Sequence, residues 1–394
     1  MSGPLDGIRI LAVSQFGAGP FGTMLLADMG AEVIKIEDPA TGGDVSRYVP
    51  PYTIKEDSIY FQSFNRNKKS LSLDLRTAEG KGIFHRLAGV SDAVFNNLRG
   101  DRVSGLGLNY SSLEKINPRI VCCSLSAFGT TGDRADEPGY DYLMQAMAGY
   151  MSFTGEPDGP PAKCGVSVID HAAGIAAALG LVAALFNAKR TGKGCDVEVS
   201  LLDTALSMLT YLAAWNLNKG YEPAKIEDSS HQTIIPAQNF KTKDGHIVVF
   251  CAKEKFWLSL CQALEVPDLA HDPRCNSFDA RLQNRDFVVS TLKPVFLRKT
   301  TREWLELLRG RVPSAPVNAL GEALNDPQVA RDMIVEADHP VFGHVKQVDS
   351  PIRIGDRRKP VAAPARGQHT EDILINLLGY TPAQIRILRE KKTV

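Results

Sequence analysis

Thirty residues near the start of the chain do most to limit its fold. Ile8 to Val13 is a short apolar run ending in a glycine turn, Pro20 to Asp28 has helical character and stops at Gly30, and Glu32 to Glu37 (EVIKIE) alternates as a second strand. Two strands joined through a helix over so short a span run parallel with a right-handed crossover, since antiparallel neighbours need only a hairpin. The rhythm returns. Ser70 to Leu75 is strand-like, Ala78 to Ala88 helical, and Asp92 to Asn96 and Ile120 to Ser126 are further strands. The fold class expected for this half is α/β on a parallel sheet.

Later segments read differently. TGEPDGPPAKCG is a loop, GVSVID a strand that closes on Asp170, and Ala172 to Phe186 an uncharged apolar run of fifteen residues. A bilayer span needs ~18 to 20 such residues, so this run is expected to be a buried helix and no membrane partner is expected. Composition turns polar from Asn218 to Ser230, the candidate linker, and from Thr233 short strands and helices suggest a smaller α+β domain. After Pro340 the segments again suit the large domain. The expected division is 1–217 with 331–394 as the large domain and 218–330 as the small one, which suits 394 residues.

Lys plus Arg and Asp plus Glu both total 45, so the chain has no net charge with which to coat nucleic acid, and no nucleic-acid partner is expected. MSGPLDGIRI lacks the features of a secretory leader, and seven scattered cysteines without C-x-x-C suit a reducing, cytoplasmic setting. No metal-ligand spacing, P-loop or G-x-S-x-G elbow is present.

Gly17, Gly19 and Gly22 spell G-x-G-x-x-G between a strand and a helix, with Glu37 closing the next strand where a ribose-binding acid would stand. These glycines admit a pyrophosphate at a helix N-terminus, or equally a tight turn packed on a neighbour. Asp170 opens an Ala-rich helix, where exposed N–H groups favour its ionised form; it is either a helix cap or a carboxylate nucleophile. His171 beside it reads as a packing neighbour. Two cation groups, Arg66 to Lys69 with Arg76, and Arg99 with Arg102, lie near strand ends, where together they would hold a polyphosphate, although a solvated surface explains each equally well.

Six stretches resemble, in order, the class III (CaiB/BaiF type) CoA-transferases and their acyl-CoA racemase relatives. They are GAGPFGTMLLADMGAEVIKIE, NRNKKSLSLDLRTAEGK, PGYDYLMQAMAGYMSFTGEPDGPP, GVSVID, RTGKGCDVEVSLLDTAL and HTEDILINLLGYTPAQI. The resemblance implies a Rossmann-like large domain, an interlocked homodimer, and coenzyme A or acyl-CoA as substrate with no tightly bound cofactor. It implies Asp170 as the nucleophile that moves CoA from an acyl-CoA to a carboxylic acid acceptor through an aspartyl anhydride and an aspartyl-CoA thioester. By position it implies CoA contacts at Phe16, Gly17, Leu73, Arg76, Asn97, Leu98 and Arg99, and an acyl pocket at Tyr60, Tyr140 and Asp141. Asp38 replaces an Arg frequent in the family, which leaves phosphate binding to Arg76, Arg99 or Arg102. SSHQTIIPAQNF departs from the formyl-CoA branch, so oxalate and formate are not the expected substrates. Tyr140 replaces the racemase His, and with an unperturbed pKa near ~10 it is a poor base, so transfer is expected over epimerisation. The alternatives are a 2-methylacyl-CoA racemase and, from the glycines alone, an NAD-dependent oxidoreductase.

Overall fold

Strand β1 (Arg9–Val13), helix α1 (Ala18–Asp28) and strand β2 (Glu32–Glu37) form the expected parallel unit in the structure, a computed structural model that describes residues 3–355 and 358–394. The chain continues through α2 (Ile59–Asn65), β3 (Lys68–Ser72), α3 (Ala78–Gly89), β4 (Ala93–Asn96), β5 (Val121–Ser126), α4 (Asp141–Met147), α5 (Val168–Thr191) and β6 (Cys195–Ser200). The six strands pair parallel in the order β3-β2-β1-β4-β5-β6. Helices cover them, which is why Ile10, Leu11, Ile34, Val94 and Cys122 have no contact with water and the strands read as continuous apolar runs. The order reverses direction between β1 and β4. Loops leaving the carboxyl ends of those two strands part there, and the gap is where ligands of open α/β sheets sit.

GVSVID departs from expectation. Residues 165–167 are bends, Val168 opens α5, and Asp170 lies in the first turn of that helix. The place beside β5 is taken by β6. Helix α5 also runs well past the apolar stretch and is long and apolar enough to cross a membrane. One face packs on α1, β5 and β6. The other is not buried as expected, since Ile175, Leu179 and Phe186 are 49%, 70% and 72% exposed.

The described chain divides into two compact units, one of residues up to Ala148, Gly165–Thr210 and Ala330–Val394, the other of Gly149–Cys164 and Tyr211–Val329. The second unit carries a three-stranded antiparallel sheet of Ala237–Lys241, His246–Phe250 and Ser314–Pro316. Its core stacks Phe240 on Phe296 with centroids 4.4 Å apart and adds Trp257 and Trp304. After a hairpin of Ile334–His339 and Gly343–Val348 the chain returns to β3. Asp356 and Arg357 of the connector lie outside the described residues. Farther along, Asn67 N–H donates to Val361 O at 2.9 Å, Ser70 N–H to His369 Nδ1 at 3.1 Å and Ser72 N–H to Thr370 Oγ1 at 3.0 Å, which covers the open edge of β3.

Candidate active site

The turn leaving β1 is held at four successive backbone groups by side chains from distant strands and loops. Lys35 Nζ, on β2, donates to Ser14 O. Asn97, after β4, accepts from Gln15 N–H at 2.8 Å and donates back to Gln15 O at 2.8 Å. Asp44 Oδ1 accepts Phe16 N–H at 3.0 Å, and its other oxygen stands 2.6 Å from Lys35 Nζ, both side chains being fully buried. Burial opposes the Asp44 charge, but Lys35 and the N–H donors outweigh it and leave the carboxyl below its ordinary range. The turn itself is strained. Phe16 has φ 68°, a left-handed conformation that costs a bulky residue about 1 to 3 kcal/mol unless its surroundings impose it.

This geometry places Gly17 against Asp170. A Cβ at position 17 would stand 2.7 Å from Asp170 Oδ2, so only glycine leaves the carboxylate its place. Gly22 serves the same packing, since a Cβ there would lie 2.5 Å from Gly174 O and would push α1 off α5. The glycine spacing therefore sets two helices in backbone contact. Glu37, the other half of a dinucleotide reading, is buried, forked by Arg47 at 2.7 and 2.8 Å and hydrogen-bonded by Ser70 Oγ at 2.6 Å, which leaves it no oxygen to offer a ribose.

Asp170 is 8% exposed. The free N–H groups at the start of α5 do not hold its charge as the sequence suggested, because Asp141 Oδ2 takes them, accepting Ile169 N–H at 2.7 Å and Asp170 N–H at 3.1 Å. Asp141 thus serves as the helix cap and does not line the cleft. Burial and the Asp141 charge together push the Asp170 carboxyl up to about 7. Phe16 lies 5.4 Å from Tyr60 and 6.2 Å from Tyr140 between ring centroids. Burial and the charges of Asp170 and Asp44 push the Tyr60 phenol up to about 12, so it remains a hydrogen-bond donor at neutral pH. His171 packs 4.7 Å from Phe21 and 6.0 Å from Phe64, and burial keeps it neutral.

Along the carboxyl ends of the strands runs a cleft with two lobes that share Gln15, Val45 and Leu98. The smaller, ≈ 470 Å³, is lined by Phe16, Gly17, Asn97, Arg99, Tyr140 and Asp170. The larger, ≈ 720 Å³, is lined by Leu73, Arg76 and Arg102, among others. Phe16, Gly17, Leu73, Arg76, Asn97, Leu98, Arg99, Tyr140 and Asp170 therefore gather on one cleft, whereas Tyr60 and Asp141 do not line it. Arg66, Lys68 and Lys69 do not reach it. They stand at or just before the amino end of β3, where Arg66 forks Asp28 at 2.7 and 3.0 Å, Lys68 Nζ donates to Pro20 O at 2.8 Å, and Lys69 meets Glu32 at 2.8 Å. Arg76 meets both Asp74 at 2.9 Å and Asp38 at 3.1 Å. His231 belongs to the second unit, where its Nδ1 accepts Thr233 and Ile234 N–H at 3.1 Å and shapes the turn. Lys35 and Asp44 were not found from sequence; the one available signal was a lysine between two isoleucines in a strand of the parallel sheet.

A cleft with three arginines along it, Arg76 paired with Asp74 and Asp38 and Arg99 and Arg102 with Asp101, and with the Asp170 carboxylate in its smaller lobe offers both cationic contacts and a nucleophile, the arrangement of an enzyme that transfers an activated group. The chain belongs to CoA-transferase family III, whose family model matches residues 5–370, and it is a CoA-transferase acting on acyl-CoA and a carboxylate. It is 36% identical to the succinyl-CoA:glutarate CoA-transferase of Mus musculus over 98% of this chain and 89% of that protein. It is 35% identical to the acetyl-CoA:oxalate CoA-transferase of Acetobacter aceti over 92% of each. A solved CAIB/BAIF family protein from Brucella suis superposes with a TM-score of 0.81 at 33% identity, covering 96% of this chain and 100% of that one.

Proposed function

We propose that the chain moves CoA between dicarboxylic acids, with Asp170 as the nucleophile. The observation that carries this is the buried Asp170 carboxylate lining one lobe of a cleft whose two lobes, of ≈ 470 and ≈ 720 Å³, share Gln15, Val45 and Leu98. An Asp170 oxygen attacks the thioester carbonyl, the carbon–sulfur bond breaks, and a mixed anhydride forms with CoA thiolate as leaving group. The thiolate then attacks the aspartyl carbonyl, which gives an aspartyl-CoA thioester and releases the donor acid. The acceptor carboxylate attacks that thioester, and the returning thiolate takes the new acyl group and frees Asp170. The amino end of α1, whose N-cap Gly17 offers no capping side chain, supplies N–H groups and a positive dipole end for the oxyanion. Burial favours the covalent states. The carboxylate is charged and poorly solvated, whereas its anhydride and thioester are neutral.

The CoA phosphates belong on the rim at Arg76, Arg99 and Arg102, with Leu73 and Leu98 along the arm. Dicarboxylic acids follow from the acceptors named in the relatives. A cytoplasmic homodimer completes the reading, supported by the apolar face of α5, where Ile175, Leu179 and Phe186 are uncovered. The connector gives it no support, since residues 361–370 lie on their own unit. The reading is tested by incubating the protein with a panel of acyl-CoA donors and mono- and dicarboxylic acceptors and detecting exchanged thioesters by mass spectrometry. Fastest exchange between dicarboxylic partners is the expected result. Exchange confined to monocarboxylic acids overturns the substrate class.

A further inference from the structure

We propose that the buried Lys35–Asp44 pair positions the reaction, by holding Phe16 in its left-handed conformation so that the start of α1 stays aimed at Asp170. The pair grips the turn at both ends. Lys35 Nζ donates to Ser14 O, and Asp44 Oδ1 accepts Phe16 N–H at 3.0 Å. Asp44 is held in turn by Ser46 N–H at 2.9 Å and Ser46 Oγ at 2.7 Å, so its oxygens cannot swing away. With φ at 68°, Phe16 would revert to an ordinary backbone conformation if that hydrogen bond were lost. The reversal would rotate the peptide into Gly17, where an added Cβ would stand 2.7 Å from Asp170 Oδ2, and would draw the Phe16 ring from Tyr60 and Tyr140. Neither Lys35 nor the buried Asp44 oxygens need touch substrate. They act through the backbone, and displacement of a reacting group by about 1 Å is enough to cost roughly a hundredfold in rate.

This inference rests on Asp170 as the nucleophile, and the two fail differently. Retained turnover in Asp170→Asn removes the nucleophile, whereas the clamp is decided by coupling between Asp44 and Phe16. With the donor and acceptor pair that exchanges fastest, Asp44→Asn is expected to lower kcat by about 10- to 100-fold while KM for the acyl-CoA stays within about threefold. Glycine takes the left-handed conformation without strain, so in a Phe16→Gly background the same Asp44→Asn change should cost less than about threefold. Amide exchange over residues 14–18 supplies a readout independent of rate, and the Phe16 amide should lose protection in Asp44→Asn. If Asp44→Asn does not fold, Lys35→Gln with Asp44→Asn replaces the ion pair by a neutral pair and leaves no lone buried charge, and the same comparison is made with it. An equal loss of kcat in both Phe16 backgrounds, or unchanged protection of the Phe16 amide, overturns the proposal.

Discussion

Asp170→Asn separates what the buried carboxylate does for chemistry from what it costs the fold. Raising its carboxyl from 3.8 to about 7 means that ionised Asp170 destabilises the folded protein by about 4 kcal/mol, at 1.36 kcal/mol for each tenfold in proton affinity. The sign follows from which state binds the proton. Between those two values the folded protein holds a proton that the unfolded chain has released, so stability falls as pH rises, and above about 7 the whole penalty is present. Asparagine carries no charge and has no such penalty. Asp170→Asn should therefore be more stable than the parent, with an advantage about 2.5 kcal/mol larger at pH 8 than at pH 5 in urea unfolding. Its turnover should fall by at least about 10⁴-fold, once deamidation has been excluded by mass spectrometry. In the parent the acylation rate should rise with pH and level above about 7, as the nucleophilic form fills. An asparagine variant that turns over, or whose stability advantage is the same at both pH values, would refute the reasoning.

Gly17→Ala should lower kcat about a hundredfold with unchanged circular dichroism, because its Cβ displaces Asp170 Oδ2 from 2.7 Å; full activity would mean that the carboxylate tolerates the shift. Isothermal titration should show CoA binding and no response to NAD, since Glu37 is already occupied by Arg47 and Ser70; saturable NAD binding without CoA binding would revive the dinucleotide reading. Light scattering should give about twice 42.9 kDa even at nanomolar concentration, and an active monomer would remove the interlocked dimer.

The sheet was legible because its strands are short apolar runs punctuated by glycine and helix, a signal local to a few residues. Asp170 was legible as a residue but not in its setting. GVSVID has strand-like alternation, yet in the structure β6 takes the place beside β5 and Val168 opens a helix. The charges were the least legible. Arg66, Lys68 and Arg76 look alike in one dimension, yet the first two stand at the amino end of β3 and the third follows its carboxyl end, where the cleft lies. Likewise nothing near Lys35 in sequence announces Asp44, and nothing near Ile169 announces Asp141, because the first partner comes from the loop after β2 and the second from the start of α4, 28 residues before Ile169.

The covering of β3 by the end of the chain has a consequence for synthesis. Ser70 waits for His369, 299 residues later, and Asp74 N–H waits for Thr393 O. At ~5 to 20 residues per second, a ribosome leaves that strand edge open for about 15 to 60 s, long after β1 and β2 have emerged. During that interval the nascent sheet offers unpaired N–H and C=O groups to any extended chain nearby, including a neighbour on the same message. Loss of the segment from Val361 onward, even with every cleft residue intact, would make this exposure permanent and send the product toward aggregates.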